Sequence, residues 1–431
     1  MREHWSWQGA DVGQYRKMLY AYEDPRVDLQ GRGFLGFGEV RVRDADRLSE
    51  TTTSFDHAAR SGTIYPYAGL PKVVTHVAPI LKEPPPSLPA VVRARVTRTE
   101  TSYNLKHVSA FKTHFVHPFE WTSDEWEQDV LLKPDGIDVP YHPPALYQRR
   151  RSGLFEYDDY GNRTKAVEAT QGGVRRVLET PHEIRPDPWL ISLPQATSYR
   201  AFQDGVPFIP EPRVAHYTHD SNGFLESVES EPLAVDPHQR LTTTFQRNDD
   251  GLVTLVTWEA PGEAPRHLSI SYEETEGIFP DAAWNDLGFL EEFAYYPAYG
   301  LLSASRNING VETRRQHDAF GRLRHVETDG EAGLDIGFGV DVVNGQVRGL
   351  IEYVQSDAGD ASYTVLDALG RPIEEASRAF DGQWSRSAVA YDLLGRAASV
   401  TRPELQVISA NRTKYRYDTL DRLLAVEAPD D

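Results

Sequence analysis

The sequence predicts an all-β fold, an array of β-hairpins that forms a long curved sheet. Short runs rich in β-branched and aromatic residues, such as Val253–Trp258 and Ser387–Tyr391, are typical of strands. The 32 Gly and 29 Pro are spread along the chain and interrupt helical periodicity wherever it starts. A short turn pattern also returns at regular spacing, which indicates a repeat.

Residues 1–82 are predicted to form a first group of strands. The segment Gly31–Gly36 satisfies the G-x-G-x-x-G dinucleotide pattern, which requires a buried strand before it and a helix after it. Here the preceding Glu23–Arg26 is charged, and the following Glu39–Arg43 alternates like a strand. Nucleotide binding is therefore disfavoured, and the glycines are predicted to allow tight backbone bends in a sheet.

Residues 83–150 are predicted to be a Pro-rich connector followed by an irregular insertion. The run Glu83–Pro89 is typical of a stiff extended connector, and the following segment carries five further prolines, Pro118, Pro134, Pro140, Pro143 and Pro144. Two histidines and two acids, His114, His117, Glu120 and Asp124, could ligate a metal. Because Pro118 and several aromatic residues crowd the same stretch, a packed aromatic loop is favoured over a metal site.

Residues 151–431 contain the repeat, an Asp followed three residues later by a Gly that opens a strand. Clear copies are Asp158 with Gly161, Asp220 with Gly223, Asp318 with Gly321, Asp367 with Gly370 and Asp392 with Gly395. In the last copy, Asp418 is followed by Asp421 where Gly is expected; Gly395 lies 25 residues after Gly370, and Asp421 lies 26 after Gly395. Asp can accept backbone N–H groups of a turn, and Gly can take the left-handed conformation of a three-residue hairpin loop.

The sequence does not decide which face of the sheet the apolar residues after each turn occupy. Apolar residues follow the Gly at the second and fifth positions, for example Leu323 and Val326 after Gly321. A separation of three does not suit a strand with plain alternation. Either the outgoing strand carries a bulge or the two residues face different surfaces.

Composition excludes several classes of function. The chain has 431 residues, with 45 Lys plus Arg against 65 Asp plus Glu, a net charge of −20 that disfavours nucleic-acid and membrane-surface binding. It has no cysteine, which excludes disulfides, Cys-ligated metals and thiol catalysis. No apolar run is long enough to span a bilayer. The acids near the glycines of 329–341 are assigned to a solvated turn rather than to calcium. No enzyme motif and no cofactor site is predicted.

The repeat copies resemble the YD repeats of RHS proteins and of the B and C components of insecticidal Tc toxins; teneurins carry related repeats. The match covers about residues 151–431. At the front, Arg26–Phe37 resembles the "R-G-(F/W)-L-G-F" strip of Tc B-component and SpvB-like proteins, and it is followed by the Thr-rich run Thr51–Phe55 and by Tyr65–Pro71. The resemblance implies a sheet that spirals into a hollow shell and encloses a toxic C-terminal polypeptide.

The resemblance also implies a function, partners and a location. We expect a non-enzymatic shell segment of a toxin-delivery protein, a middle section completed by the remaining shell or effector polypeptide from the same or a neighbouring gene. A pore-forming toxin component is the further partner. The first residues, Met1–Ala10, lack the apolar core of a Sec-type signal, so release to the outside would use another route. The alternatives are a cell-surface adhesion or glycan-binding module, in which exposed Trp and Tyr stack on sugars, and, more weakly, a carbohydrate-active enzyme.

Overall fold

The computed structural model describes residues 2–7, 15–83, 85–108, 113–139, 147–208 and 211–429. Within these ranges the chain consists of strands and turns, with one short 3-10 helix at Pro237–Gln239 and no α-helix. No helix in the described ranges is long and apolar enough to cross a membrane. The predicted fold class, an all-β hairpin array, is confirmed.

The chain divides into two compact units. The first unit comprises Met1–Arg213, Asp392–Arg396 and Lys414–Glu427, and the second comprises Val214–Tyr391, Ala397–Thr413 and Ala428–Asp431.

The strands up to residue 207 are β1 (Arg2–Trp7), β2 (Tyr15–Asp28), β3 (Gly33–Asp44), β4 (Ser49–Phe55), β5 (Pro71–Pro79), β6 (Ala90–Val108), β7 (Thr113–Lys133), β8 (Gly136–Asp138), β9 (Arg149–Tyr157), β10 (Arg163–Thr170), β11 (Val174–Glu179), β12 (His182–Arg185), β13 (Leu190–Pro194), β14 (Ala196–Gln203) and β15 (Val206–Pro207).

The later strands are β16 (Arg213–His219), β17 (Leu225–Ser230), β18 (Leu241–Arg247), β19 (Val253–Glu259), β20 (Arg266–Tyr272), β21 (Pro280–Asn285), β22 (Leu290–Tyr296), β23 (Leu301–Arg306), β24 (Glu312–His317), β25 (Leu323–Thr328), β26 (Leu334–Val343), β27 (Gln346–Ser356), β28 (Ala361–Leu366), β29 (Pro372–Arg378), β30 (Trp384–Tyr391), β31 (Ala397–Thr401), β32 (Glu404–Leu405), β33 (Arg412–Tyr417) and β34 (Leu423–Glu427).

In the first unit, strands that follow one another in the chain pair antiparallel from β1 to β7. The ladder continues through β9, β10, β11 and β14. Strands β12 and β13 form a separate hairpin. Because each strand pairs with its near neighbour in sequence, local turns decide most of the topology.

The first unit has an apolar core where β5 to β8 meet. Val77 of β5 lies opposite Val96 of β6, and Val96 lies opposite Trp126 of β7, so their side chains share one face. The buried core is made of Val77, Ala94, Val96, Trp126, Val130, Leu132 and Ile137. Partly buried side chains, among them Leu48 and Tyr147, pack against this cluster.

The expectation of an irregular insertion within 83–150 is wrong for most of that segment. Strands β6 and β7 are 19 and 21 residues long and pair along their length. Pro118 is accommodated opposite Tyr103, where a register shift interrupts the ladder, and Pro134 lies in the turn before β8. Pro140, Pro143 and Pro144 lie outside the described residues. The boundaries near 82 and 150 stay predictions.

The second unit is a long meander in which strands β16 to β31 follow one another, mostly as antiparallel neighbours. Most of its side chains are only partly buried. Its buried apolar residues include Val256, Val365 and Ala376, and Asp367 and Glu374 are buried as deeply as any of them. This sheet therefore depends on more than apolar packing.

Candidate functional site

The repeat turns share one hydrogen-bond pattern, seen clearly at Asp318. The Gly321 N–H donates to the Asp318 carbonyl at 2.9 Å, and the Asp318 N–H donates to the Arg322 carbonyl at 2.9 Å. The Asp318 carboxylate accepts the N–H groups of Phe320 and Arg322 at 2.9 and 3.0 Å. One carboxylate thus satisfies two backbone donors of the loop, as expected for an Asx-type turn.

Each residue that the sequence singled out lies in such a turn. The glycines have positive φ, at 93° for Gly161, 87° for Gly223, 78° for Gly321, 76° for Gly370 and 80° for Gly395. The carboxylates of Asp158, Asp220, Asp367, Asp392 and Asp418 make the same paired contacts to the backbone as Asp318. Asp421 occupies the glycine position of the last turn with φ of 63°. The turns lie at separate hairpins along the chain.

The outgoing strand of these turns carries a bulge, which decides between the two alternatives left open by the sequence. After Gly321, His317 lies opposite Leu323 and Gln316 lies opposite His325, so Arg324 has no partner of its own. The same shift follows Gly161, Gly223, Gly251, Gly370, Gly395 and Asp421. The bulge returns the second and fifth residues after the glycine to one face.

An arginine after the glycine is a functional part of the turn that the sequence reasoning missed. Arg322, Arg371, Arg396 and Arg422 donate from Nε to the second oxygen of the turn Asp at 2.6–2.8 Å. In the Asp158 turn, Asn162 has the same role, because its Nδ2 donates to Asp158 Oδ2 at 2.8 Å. The signal was present, because in these four copies the arginine directly follows the glycine position.

Two further turns, in which Asn stands at the Asp position, were missed by the sequence reasoning. Asn285 Oδ1 accepts the N–H groups of Leu287 and Phe289 at 3.0 and 3.1 Å. Asn307 does the same for Asn309 and Val311 at 2.9 and 3.1 Å. Asn-x-x-Gly is therefore equivalent to Asp-x-x-Gly in this chain, and a search for either residue would have found these copies.

Successive repeats are joined through the aromatic residue that precedes the turn Asp. The Tyr391 hydroxyl donates to the Pro372 carbonyl at 2.9 Å, and the Arg371 guanidinium lies 4.4 Å from the centre of the Tyr391 ring. Arg396 lies over the Tyr417 ring in the same way, at 4.7 Å. The turn arginine of one repeat thus contacts the aromatic residue of the next.

The hydrogen bonds of the turn lower the pKa of two of the turn aspartates, Asp367 and Asp418. Burial by itself would raise the pKa of the Asp367 carboxyl, but hydrogen bonds from the Arg371 backbone and side chain and from the Leu369 backbone outweigh it and lower the pKa. The pKa of Asp418 is lowered in the same way, against burial, by Arg422 and Leu420. Carboxylates with these partners act as structural anchors.

A second polar site, the Glu374 cluster, consists of Asp341, Arg348, Tyr363, Glu374 and Arg386 in the second unit. The Glu374 side chain is fully buried. Its Oε1 accepts from the Tyr363 hydroxyl at 2.7 Å and from Arg386 Nε at 2.8 Å, and Arg348 Nη1 lies 2.6 Å from Oε2. Arg348 also donates from Nε to Asp341 at 2.5 Å.

Electrostatics within the Glu374 cluster favour the charged carboxylate and the neutral phenol. Burial would raise the pKa of Glu374, but Tyr363, Arg386 and Arg348 outweigh it, and the pKa is lowered. Burial first and the Glu374 carboxylate second raise the pKa of Tyr363 to about 12. No sequence signal marks Glu374 among 65 acidic residues, because its burial depends on the register of β27 to β30.

The other sequence motifs have local structural roles. His117 stacks on Phe115 at 4.6 Å and lies 4.5 Å from Tyr157, which agrees with an aromatic packing role, although in strand β7 rather than in a loop. His114 is three residues away on the same strand and points to the opposite face. Asp335 contacts His325 at 2.8 Å, whereas Asp341 belongs to the Glu374 cluster. No group of three or more metal-ligating side chains occurs among the described residues.

Of the glycines of the G-x-G-x-x-G segment, Gly31 lies in the turn between β2 and β3, and Gly33 and Gly36 lie at the start of β3. Gly31, Gly33 and Gly36 have φ of 124°, 76° and 101°, and Gly36 lies opposite Arg26 beside a register shift. The segment joins two strands, so the helix that a dinucleotide site requires is absent at this place.

Fold and turns together define an antiparallel hairpin-repeat sheet whose successive repeats are joined by polar anchors. The same fold occurs in solved structures of TcdB2-TccC3. The crystal structure of TcdB2-TccC3 matches 96% of this chain with a TM-score of 0.61 and 10% identity. The TcdB2-TccC3-Cdc42 structure matches 96% with a TM-score of 0.62 and 8% identity. The predicted resemblance to the Tc toxin shell is confirmed at the level of the fold.

The likeness covers only part of those proteins. This chain spans about a third of their length, 30% of the first and 32% of the second. A third structure, described as TcdB2-TccC3 without the hypervariable C-terminal region, still matches 96% of this chain with a TM-score of 0.58 and 9% identity. The shared fold therefore lies outside that hypervariable region. No protein-family model matches the sequence, and no curated protein matches it.

Proposed function

We propose that this chain is a non-enzymatic wall segment of a shell that encloses an effector polypeptide in a toxin-delivery protein. The observation that carries the proposal is the fold shared with TcdB2-TccC3 over 96% of the chain. The sequence resemblance to Tc B-component and YD-repeat proteins points to the same role.

The construction of the second unit suits a wall. Its turns and its Glu374 cluster hold the strands through polar contacts, so the faces need no filled core on each side. Strands β26 and β27 illustrate this, because Val340 lies opposite Leu350 and both are more than half exposed. Asp341, on the other face of the same strand, is engaged by Arg348. An exposed apolar face of this kind can hold an unfolded polypeptide without sequence preference.

The partners follow from this role. They are the remaining shell or effector polypeptide, from the same or a neighbouring gene, and a pore-forming toxin component. The net charge of −20 argues against nucleic acid as cargo. We place the assembled protein outside the cell after release and in the cytoplasm before it.

Protease protection tests the enclosure. The chain is co-expressed with the polypeptides encoded by the neighbouring reading frames, and the purified complex is digested with trypsin and analysed by mass spectrometry. We expect one partner segment to resist digestion in the complex and to be cleaved once the complex is unfolded. No co-purifying partner, or a partner cleaved equally fast in both states, would contradict the proposal.

A matched pair of variants makes the test specific to the wall. Glu374→Ala removes the carboxylate that holds two arginines, whereas Glu375→Ala changes its exposed neighbour. Protection is expected to be lost in Glu374→Ala and kept in Glu375→Ala. Equal protection in both variants would show that the repeat sheet is not the barrier.

A further inference from the structure

A pocket of ≈ 610 Å³ opens on the repeat sheet at one end of strands β18 to β21. Trp258 lies opposite Arg266 across β19 and β20, and Leu268 lies opposite Asn285 across β20 and β21, so these side chains share one face. Leu241, Ala260 and Ala264 complete the apolar part of the lining. The volume is within the range of ordinary small-molecule sites, roughly 300–1,000 Å³.

Several polar groups around this pocket, which we call the Trp258 pocket, have no bonding partner among the other described residues. Elsewhere in the second unit, arginines such as Arg322, Arg371 and Arg386 are engaged by carboxylates. The guanidinium of Arg266, the carboxylate of Glu263 and the indole N–H of Trp258 make no hydrogen bond or ion pair with any other described residue. Hydrogen-bond donors and one acceptor therefore surround the apolar part of the pocket without bonding to one another.

One more polar group is held in a fixed orientation at the same pocket. Asn285 uses Oδ1 in its turn, which leaves the two hydrogens of Nδ2 available. His267 also borders the pocket, but it is next to Arg266 in β20, so its side chain lies on the opposite face of the sheet, where Nδ1 contacts the Asp286 carboxylate at 3.1 Å. The contacts that build the turn thus fix the orientation of the Asn285 amide.

We propose that the Trp258 pocket binds a saccharide, with one pyranose ring stacked on the indole. A pyranose has an apolar face of C–H groups and a rim of hydroxyls that both donate and accept hydrogen bonds. The flat indole matches the face, and Arg266, Asn285 and Glu263 match the rim as donors and acceptor. The mixture of one free cation and one free anion suits a ring of hydroxyls better than a ligand with a single charge.

This proposal is independent of the shell proposal, because a wall segment can lack a sugar site and a sugar-binding repeat can lack cargo. The test applies the full chain to an array of defined saccharides and follows the strongest binder by titration calorimetry. Trp258→Ala is expected to weaken binding by about tenfold or more, as for other buried aromatic contacts at binding sites.

Trp284→Ala is the matched control. Trp284 is an exposed tryptophan on β21, next to Asn285 and on the opposite face of the sheet, so its removal should leave the affinity unchanged. If Trp258→Ala does not fold, Arg266→Ala and Glu263→Gln test the proposal instead, because both side chains are exposed and make no hydrogen bond or ion pair with the other described residues.

The proposal would be overturned by an array without any bound saccharide, by an affinity that survives both Trp258→Ala and Arg266→Ala, or by an equal loss of affinity in Trp284→Ala. Binding of an apolar peptide instead of a saccharide would assign the pocket to a protein partner and also overturn it.

Discussion

Around strands β5 to β8 of the first unit, the largest fully buried side chains are apolar, such as Leu132, Val96 and Val130. In the repeat sheet of the second unit, the corresponding group includes Glu374 and Asp367 together with Val365. The first region excludes water from hydrocarbon, and the second fixes buried carboxylates between arginines and backbone N–H groups. The two regions thus reach a stable antiparallel sheet by different physical means.

The difference shows what a repeat sheet gains from polar anchors. Apolar burial needs a second layer or a thick cluster of side chains, and the stabilisation scales with the area removed from water. An Asp–Arg turn with a tyrosine contact to the next repeat acts within a single layer. The faces of such a sheet can then carry exposed apolar patches or a pocket, which a wall or a binding surface requires.

The largest expected effect comes from breaking the Glu374 cluster. Glu374→Ala removes a fully buried carboxylate and leaves the partly exposed Arg348 and Arg386 without their shared counter-charge, which should cost about 3 kcal/mol. Hydrogen exchange should accelerate in peptides from 334–391. Glu375→Ala should change local stability by about 0.5 kcal/mol or less. Unchanged exchange in Glu374→Ala would mean that the cluster is not an anchor.

The apolar core should respond almost as strongly, but in the other unit. Leu132→Ala leaves a cavity among fully buried neighbours and should cost about 2–5 kcal/mol. The faster exchange should appear in peptides from 71–138. Val91→Ala, on the paired strand and 71% exposed, is the control and should be close to neutral. If exposed and buried positions behave alike, this region has no stabilising core.

A smaller effect is expected at the repeat turns. Gly370 has φ of 76°, and a Cβ there would meet nothing within 4 Å, so Gly370→Val tests backbone strain alone. We expect a loss of about 1–2 kcal/mol or more, measured as a lower melting temperature. Gly370→Asn should lose less, because Asn tolerates the left-handed region better. Equal melting temperatures for Gly370→Val and the parent protein would refute the turn assignment.

The last turn should show the smallest effect. Asp421 accepts from Arg47 at 2.8 Å and from Arg396 at 2.9 Å, so its carboxylate joins two elements of the first unit. Asp421→Asn removes these partly exposed ion pairs and should cost up to about 1 kcal/mol. Asp421→Gly should be near neutral, because relief of the positive φ offsets the lost pairs. A melting temperature raised by Asp421→Asn would show that the carboxylate is not a link.

The sequence predicted the turns because their chemistry is local, and Asp367 and Gly370 lie within one hairpin. The long strands β6 and β7 were missed because their prolines suggested irregular structure, whereas Pro118 lies at a register shift. Glu374 and the Trp258 pocket could not be predicted from composition or spacing. Both depend on which residues lie opposite one another across several strands, and that register is set by the bulges.

The pH dependence of the two core variants tests most directly whether the repeat sheet is held by charge and the first unit by apolar burial. The pKa of Glu374 is lowered in the folded chain. Its stabilisation is therefore complete above the unfolded pKa of about 4.3 and is lost as the pH falls through the lower folded value. The pKa of Tyr363 is raised, so its contribution is complete below about pH 10 and is lost toward pH 12.

The measurement is the local opening free energy of parent, Glu374→Ala and Leu132→Ala, from hydrogen exchange corrected for the intrinsic rate at each pH. We predict that the difference between parent and Glu374→Ala is largest near pH 7 and shrinks markedly toward about pH 3. The difference between parent and Leu132→Ala should stay nearly constant over the same interval. Two differences that change with pH in parallel would contradict the account.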